Sequence, residues 1–547
     1  MKRHSFYFVA VSVIILLLTG ISGCQWQNPL AQIGGNQTPA AVMFLSKQTP
    51  AISSLLVNPE RLGKQDRAID QLKTNLLANT GLDYKQDIQP WLGDEITLAL
   101  TNIDIDRNAA NGRQPGYLMA LATVDSNKSR EFLQTLFSQR AIAGTQLKSE
   151  QYNGVKLIYE YFTPADEQNG KGLAGAVVGD RFVLFANNPK VLREAINNVQ
   201  VTDLSLSNSR QYQQALTLLP PRQIGFTFLN FSSLSSFLNN QSIAQSYQSQ
   251  IITLELTSQG LAAKTVLLAT PTQDNPATAS ELSQPIEALR YIPRAGLAIS
   301  GTKLNRWRDT DLSKWTQVIG EVSESSSQLL KQPLAAIQKN WGIDLQKDIF
   351  SWVQGEYALG LLPSASDPDW VFVAEKSDAS GAGIAHLDEI AVSQALSISS
   401  LTLGEQKISA WTRLTTVPNS ESKLDGTAIA LKAKVQGVHT TVGNYEIFTN
   451  SVEAMNAALK APKNQSLLDN PTFKASIEPI PKPNQGYLYL DWIASQEILE
   501  RQLPILRLLK VVGKPFWERL RSLTVSSYGS ETGLLQGGIF FKLDSPG

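Results

Sequence analysis

Cysteine is nearly absent from this sequence, and histidine is scarce. The 547 residues contain one cysteine, Cys24, and three histidines, His4, His386 and His439. A single cysteine excludes an intrachain disulfide and any zinc site built from several thiolates. Because His4 lies near the amino terminus, only two widely separated histidines remain for imidazole-based metal or acid–base chemistry.

An excess of charge of either sign is also missing. Lys plus Arg and Asp plus Glu both number 48. This balance gives no overall field that would favour nucleic acid or an anionic membrane surface. Apolar residues make up 42% of the chain, which is enough for sizeable cores, and the length suits two or three domains.

The amino terminus has the layout of an export signal. Lys2 and Arg3 precede an apolar run over residues 6–18 that is interrupted only by Ser12. The run is short for a membrane span and suits the core of a signal peptide. Small residues then lead to the only cysteine, in the tetrad Ile21-Ser22-Gly23-Cys24.

This tetrad resembles the lipobox of bacterial lipoproteins, in which a diacylglyceryl group is attached to the cysteine and cleavage makes that cysteine the new amino terminus. The resemblance implies that residues 1–23 are removed and that Cys24 is lipidated, which would hold the body on the outer side of a membrane. Residues 24–39 are expected to form a flexible tether. The alternative is an uncleaved signal anchor with an unmodified Cys24. Either interpretation leaves the body outside the cytoplasm, facing the periplasm or a thylakoid lumen.

One stretch occurs twice in the chain. The first copy is GLDYKQDIQPWLGDEITLAL at residues 81–100, and the second is GIDLQKDIFSWVQGEYALGL at residues 342–361. The coinciding pairs are Gly81/Gly342, Asp83/Asp344, Asp87/Asp348, Ile88/Ile349, Trp91/Trp352, Glu95/Glu356, Leu98/Leu359 and Leu100/Leu361. The same offset returns downstream, where Ser205-Leu206 meets Ser466-Leu467. Two matches in one register predict a duplicated domain.

Each half alternates apolar strands with tight turns and intervening helices. Opening strands are expected at residues 40–45 and 296–300, and hairpins at Gly179-Asp180 and Ser258-Gln259-Gly260. The predicted fold class is α+β, with two tandem related domains, each a mostly antiparallel sheet with helices packed on one face. We place the first domain at 40–269, a proline-rich polar linker at 270–285, and the second domain at 286–547.

The duplicated motif, together with a Ser-Leu element ahead of a Gly-aromatic strand, resembles a family of exported cyanobacterial proteins known only as a domain of unknown function. The resemblance implies this fold and export, and it implies no chemistry.

Candidate sites within the motif are few. Asp83, Asp87 and Glu95 could offer carboxylates to calcium, but their spacing lacks the compact loop of an EF-hand. We interpret Asp83 as the cap of a short helix, Asp87 as an anion favoured by the helix dipole in its first turn, and Trp91 as a core anchor.

Recognisable catalytic patterns are also missing, since neither Gly-x-Ser-x-Gly nor His-Glu-x-x-His occurs. His386 and His439 are expected at the surface. The sequence therefore predicts no catalytic residues, no metal and no cofactor.

These observations favour a non-enzymatic, lipid-anchored extracytoplasmic protein that acts in binding, assembly or envelope maintenance. Its expected partners are the membrane and either a protein or a hydrophobic ligand, and not nucleic acid. One alternative is a carrier of a lipid or pigment in a pocket lined by aromatic residues, for which the candidates are Trp91, Trp352, Trp370 and Trp492. A hydrolase with an unfamiliar site and a purely structural spacer are further alternatives.

Overall fold

The computed structural model describes residues 38–58, 83–108, 112–161, 172–217, 223–238, 242–270, 281–309, 335, 338–339, 341–363, 369–418, 429–463, 465–496, 514–531 and 533–544. The expected signal peptide, Cys24 and almost all of the expected tether lie outside these residues, as do residues 271–280 of the expected linker.

The described residues form twenty β-strands. In chain order they are β1 Ala51–Leu55, β2 Leu92–Asn102, β3 Gly116–Thr123, β4 Leu147–Tyr152, β5 Val155–Glu160, β6 Ala174–Val178, β7 Phe182–Ala186, β8 Gly225–Asn230, β9 Tyr247–Thr257, β10 Gly260–Ala269, β11 Leu297–Thr302, β12 Glu356–Leu362, β13 Asp369–Glu375, β14 Ser397–Leu403, β15 Gln406–Pro418, β16 Ile429–Val442, β17 Tyr445–Thr449, β18 Gly486–Asp491, β19 Leu520–Glu531 and β20 Leu534–Leu543.

Helices connect several of these strands. The α-helices are α1 Ser126–Ile142, α2 Pro189–Gln200, α3 Arg210–Leu216, α4 Phe231–Leu238, α5 Ser242–Ser246, α6 Ser380–Ser393, α7 Val452–Lys460, α8 Pro471–Ile477 and α9 Lys514–Arg519. Short 3-10 helices lie at Ala40–Phe44, Thr202–Leu204, Leu206–Asn208, Glu287–Tyr291, Leu304–Asp309, Phe350–Trp352 and Leu467–Asp469, and π-helical turns lie at Tyr84–Ile88 and Leu345–Ile349.

The described strands all belong to one antiparallel sheet. From edge to edge their order is β4-β5-β6-β7-β3-β2-β1-β8-β9-β10-β20-β19-β18-β11-β12-β13-β17-β16-β15-β14. The second ten strands therefore repeat the pairing order of the first ten, read from the opposite edge. The two sets meet where β10 pairs with β20, from Gly260 opposite Lys542 to Leu268 opposite Leu534.

This arrangement confirms a mixed helix and strand protein with antiparallel pairing. Both expected hairpins form, with Gly179 at φ +57° in the first turn and Gly260 at φ +157° in the second. A separate sheet for each half was expected, and the structure instead has one shared sheet. The joining contact is non-local, since β10 and β20 are far apart in the chain, so local patterns did not reveal it.

Helices pack on both faces of the sheet in the first half, so the expectation of a single helical face is wrong there. Successive residues of a strand point to opposite faces. In β7, Phe182 and Leu184 share a core with α2, whereas Val183 and Phe185 share a different core with α1. The same holds in the second half, where Ile447 of β17 packs with α7 and its neighbour Phe448 packs with α6. The continuous apolar run Phe182–Ala186 is typical of a strand that is covered on both faces.

The opening strand expected at residues 40–45 is also wrong, because Ala40–Phe44 is a 3-10 helix. The helix is buried in the core of the first half. At its carboxyl end, the Asn198 Nδ2 donates a hydrogen bond to the Phe44 carbonyl at 3.0 Å. Apolar composition alone did not distinguish a buried helical turn from a short strand. The opening strand expected at 296–300 is confirmed as β11.

Candidate functional site

The duplicated motif folds into a short turn closed by its own polar groups. Asp83 is extended and its carboxylate accepts the Gln86 N–H at 3.0 Å, which caps the π-helical turn. The Asp87 Oδ2 accepts the Asp83 N–H at 2.6 Å, and the Trp91 Nε1 donates to the Asp87 carbonyl at 2.6 Å. The indole is almost fully buried.

The second copy repeats these contacts. Asp344 accepts the Gln346 N–H at 2.9 Å, and the Asp348 Oδ2 accepts the Asp344 N–H at 2.7 Å. The Trp352 Nε1 donates to the Asp348 carbonyl at 2.8 Å. The interpretation of the motif as helix capping with a core tryptophan is therefore confirmed in both halves.

The motif is tied to the following helix in the same way in each half. The Trp91 carbonyl accepts from the Thr123 hydroxyl at 3.1 Å, and the Trp352 carbonyl accepts from the Ser377 hydroxyl at 2.9 Å. Each hydroxyl lies just ahead of a helix, α1 or α6. The identical residues of the motif thus position the helix that covers one face of the sheet.

Glu95 fastens the 3-10 helix Ala40–Phe44 to the sheet. Its Oε2 accepts the Ala40 N–H at 2.8 Å, and its Oε1 accepts the Ala41 N–H at 2.9 Å and the Thr97 hydroxyl at 2.9 Å. Glu95 is only 3% exposed, and burial raises its pKa above the ordinary value, with the hydrogen bonds opposing that rise. The carboxylate therefore accepts hydrogen bonds from N–H groups at the first turn of the 3-10 helix, which have no acceptor within the helix.

Glu356 has the corresponding task in the second half. It accepts the Ala288 N–H at 3.1 Å, in the 3-10 helix Glu287–Tyr291, and the Tyr445 hydroxyl at 3.0 Å. Each half thus begins with a short helix whose first N–H groups bind a glutamate at or near the start of a sheet strand.

Calcium binding by the motif carboxylates is not supported by this geometry. The Asp83 and Asp87 carboxylates accept backbone N–H groups of their own turn, while the Glu95 carboxylate accepts the Ala40 N–H of the 3-10 helix. Over the described ranges, no group of three or more His, Cys, Asp or Glu side chains is placed to hold a metal ion.

The surface position expected for His439 is wrong. His439 is 8% exposed, and its Nε2 lies 3.2 Å from the Asp388 Oδ1. The same carboxylate oxygen accepts the Trp411 Nε1 at 2.7 Å, and the imidazole stacks on Phe448 with ring centres 5.7 Å apart. Burial lowers the pKa of His439, and the Asp388 carboxylate partly offsets that shift. We call His439, Asp388, Trp411 and Phe448 the histidine cluster.

The first half has no counterpart of the histidine cluster. Gly175 lies opposite Phe185 in the sheet, as His439 lies opposite Phe448, so the two positions correspond. A Cβ added at Gly175 would lie 2.7 Å from Leu133 and 2.8 Å from Phe137, both on α1. Helix α1 thus fills with apolar groups the space that an imidazole and a carboxylate occupy in the second half.

His386 lies at the surface, as expected. Its side chain is 53% exposed, and its Nε2 lies 3.3 Å from the Asp348 Oδ1. Glu389 of the same helix lies 3.9 Å from the other ring nitrogen. The pair links α6 to the second copy of the motif at its outer side.

The tryptophans proposed as lining for a hydrophobic ligand are buried in apolar cores. Their exposed fractions are 1% for Trp91, 4% for Trp352, 8% for Trp370 and 4% for Trp492. Trp341 fills the space beside Trp370, with ring centres 4.8 Å apart, and also contacts Trp411 at 4.7 Å. Ring-to-ring packing of this kind is typical of a core.

Sequence reasoning missed the histidine cluster and the packing of Trp341 against its Trp411 and Phe448. One feature of the sequence indicated the cluster, namely a histidine within the strand-like run 435–441. A histidine in a strand that is covered on both faces is buried and needs a hydrogen-bond partner. The partner Asp388 lies on a helix 51 residues earlier, and spacing did not indicate it.

In the part of the chain that the structure describes, no helix is both long enough and apolar enough to cross a membrane.

Comparisons with known proteins give one strong match. No curated protein matches the chain. Two solved structures, crystal forms I and III of TP0453, share 9% and 10% sequence identity with TM-scores of 0.25 and 0.24. Each comparison covers 43% of this chain and 81% of the other, and TM-scores this low carry no argument about fold or function. The family described as "Protein of unknown function (DUF3352)" matches residues 9–543, and this chain therefore belongs to that family.

Proposed function

We propose that this protein is a lipid-anchored extracytoplasmic protein that binds or assembles with other components of the cell envelope and does not catalyse a reaction. The observation that carries the proposal is the lipobox-like tetrad Ile21–Cys24, which follows a basic start and a short apolar run. Lipidation of Cys24 would place the body on the outer side of a membrane, in the periplasm or a thylakoid lumen.

The body would consist of two tandem copies of one α+β domain, at residues 40–269 and 286–547. The repeated strand order supports this, as do the matched bonds of Trp91 and Trp352 and of Glu95 and Glu356. A duplicated body offers two related surfaces, which suits a protein that brings components together.

The way the chain enters the fold suits attachment to a bilayer. Residues 25–39 separate Cys24 from the 3-10 helix Ala40–Phe44. That helix is held by Glu95 at its start and by Asn198 at its end. A lipid anchor would therefore connect through a short segment to a fixed point in the first core.

The side-chain chemistry favours binding over catalysis. The carboxylates of the duplicated motif are engaged by backbone N–H groups, which is a structural task. The Asp388–His439 pair is a carboxylate and imidazole of the kind used to orient a general base. Here the imidazole is stacked within an aromatic core, where it has the surroundings of a packing residue.

The anchor is tested with Cys24→Ser, using Ser22→Ala as the matched control because it keeps a small residue in the tetrad. For the parent chain and the control we expect membrane fractionation and an intact mass equal to residues 24–547 plus a lipid modification. For Cys24→Ser we expect loss of that modification and of the cleaved form. A parent chain that keeps its first 23 residues and an unmodified thiol would refute the lipid anchor.

The binding role is tested by affinity capture of the parent protein from gently solubilised membranes. We expect specific proteins to be enriched over a capture with the Cys24→Ser chain. Native mass spectrometry of the same sample tests the carrier alternative, since a lipid or pigment that stays bound in defined stoichiometry would replace the assembly role with a carrier role. Turnover of a substrate by the purified chain would refute a non-enzymatic function.

A further inference from the structure

The shared sheet ends in two strands that occupy equivalent places in the two halves. Among the described strands, β4 pairs only with β5, and β14 pairs only with β15. An edge strand presents unpaired N–H and C=O groups to which another extended chain can bind, and proteins commonly block such edges with charged side chains.

The β4 edge is blocked in this way. Lys148 and Glu150 lie on β4, with Lys148 over the Tyr161 ring at 3.8 Å. Glu150 forms an ion pair with Arg193 at 2.7 Å. A second chain that approached this edge would meet charges of both signs and a fixed ion pair.

The β14 edge has no such block. Its sequence, SISSLTL, contains no charged residue and no proline, and among the described strands its one neighbour in the sheet is β15. Ile398 is 42% exposed and Leu401 is 43% exposed. A strand of this length that is uncharged, exposed and partly apolar is the type of edge to which a further strand adds.

We propose that β14 is an interface at which a second copy of this chain pairs, β14 to β14, in antiparallel orientation. A neutral strand meets a copy of itself without charge repulsion, whereas pairing with β4 of another copy would bring in Lys148 and Glu150. Pairing of β14 with β4 of the next copy would add copies head to tail in an open chain. Pairing of β14 with β14 gives a closed two-fold dimer, the commonest form of oligomer.

The hairpin fixes the register of this interface. A two-residue turn, Gly404-Glu405, connects β14 to β15, and Leu403 faces Gln406 as the closing pair. The closing pair of such a hairpin is hydrogen bonded, and bonded and non-bonded pairs alternate from it. The backbone groups of Ile398, Ser400 and Thr402 therefore point away from β15 and towards the open edge.

A two-fold axis through Ser400 satisfies these groups. It places Ser400 opposite Ser400 of the second copy and Ile398 opposite Thr402 of the second copy. Three outward residues on each strand form about six backbone hydrogen bonds. The seven residues of β14 span about 23 Å, which is a small interface, so pairing is expected to depend on protein concentration.

The opposite edge supplies a matched control position. The turn Asn153-Gly154 connects β4 to β5, and Tyr152 faces Val155 as its closing pair. Ser149 therefore lies three residues before its closing residue, as Ser400 does before Leu403. Both serines are exposed, and the backbone N–H and C=O groups of both point towards the open edge of the sheet.

The test introduces Ser400→Cys or Ser149→Cys into the full chain and exposes native membranes to a mild oxidant. Hydrogen-bonded antiparallel partners have Cα atoms about 5.5 Å apart, which is within the range that a disulfide spans. We expect several-fold more disulfide-linked dimer from Ser400→Cys than from Ser149→Cys. Mass spectrometry should identify a disulfide between two copies of the peptide that contains position 400. Cys24 is retained in all chains. A disulfide between two Cys24 thiols is therefore open to every variant and does not contribute to the difference between them.

A second variant separates strand pairing from chance collision. Thr402→Pro removes an outward N–H that the pair with Lys407 does not use, so the β14–β15 hairpin keeps its own hydrogen bonds. Added to Ser400→Cys, it should reduce the dimer to the level of Ser149→Cys. Equal dimer from Ser400→Cys and Ser149→Cys would overturn the proposal, as would a position-400 disulfide to a different protein.

Discussion

Glu95 provides the sharpest test of how the folded body is held together, because its counterpart Glu356 serves as an internal reference. We compare Glu95→Ala with Glu356→Ala. Both substitutions remove an acceptor for the first N–H groups of a 3-10 helix. The two substitutions differ in the number of hydrogen bonds lost and in how far the carboxylate is buried.

The structure predicts a clear order for the two variants. Glu95 accepts three hydrogen bonds and is 3% exposed, and its removal leaves the buried Ala41 N–H without an acceptor. A hydrogen bond to a charged group contributes about 1.5–3 kcal/mol, and part of this is offset because the buried carboxylate no longer has to be desolvated. We therefore expect Glu95→Ala to lower the free energy of unfolding by about 3 kcal/mol.

Glu356→Ala should have a smaller effect. Glu356 accepts two bonds and is only half-buried, so water can replace part of what it provides. We expect a loss of about 1 kcal/mol.

The assay is urea unfolding of each purified chain, followed by tryptophan fluorescence, with the slope against urea checked for constancy. A loss below about 1 kcal/mol for Glu95→Ala would refute the reasoning. Equal losses in the two variants would refute it as well, since burial and bond number would then not decide the effect.

Two further predictions concern the difference between the halves. Because burial lowers the pKa of His439, the folded chain binds fewer protons than the unfolded chain at mildly acidic pH, so stability should fall as the pH drops below about 6.5. His439→Phe should flatten that pH dependence, measured as the urea midpoint across the range, and an unchanged slope would contradict the assignment. Gly175→Ala should destabilise the chain by about 1–3 kcal/mol, because its Cβ would lie 2.7 Å from Leu133. Gly381→Ala, which has open space around its Cβ, is the control and should be neutral or slightly stabilising in the same unfolding assay.

Local features were predictable from the sequence because local chemistry decides them. The sequence predicts Asp83 as a cap because a carboxylate before a helical turn binds its free N–H groups, and Asp344 is its match in the second copy. The turn at Gly179 was predicted because glycine adopts the positive φ of +57° found there. The internal match of the two motifs also correctly located the repeated contacts of Trp91 and Trp352.

Features decided by distant residues were not predictable. Ala40–Phe44 is helical because Glu95, more than fifty residues later, accepts its first N–H groups. Asp388 and His439 meet only once α6 lies on the sheet. The pairing of β10 with β20 likewise depends on the position of both halves, and no periodicity in either strand specifies it.

The pairing of β10 with β20 also has a consequence for the order in which the chain folds. When the first ten strands have emerged, β10 has β9 on one side and no neighbour on the other until Leu534–Leu543 arrives. During that interval one side of an apolar strand is open to wrong partners. Lys264, the one charged residue of β10, lies at its middle and pairs with Glu255 of β9 at 3.1 Å. A charged pair at this place interrupts the apolar surface of the hairpin and should oppose wrong strand pairing.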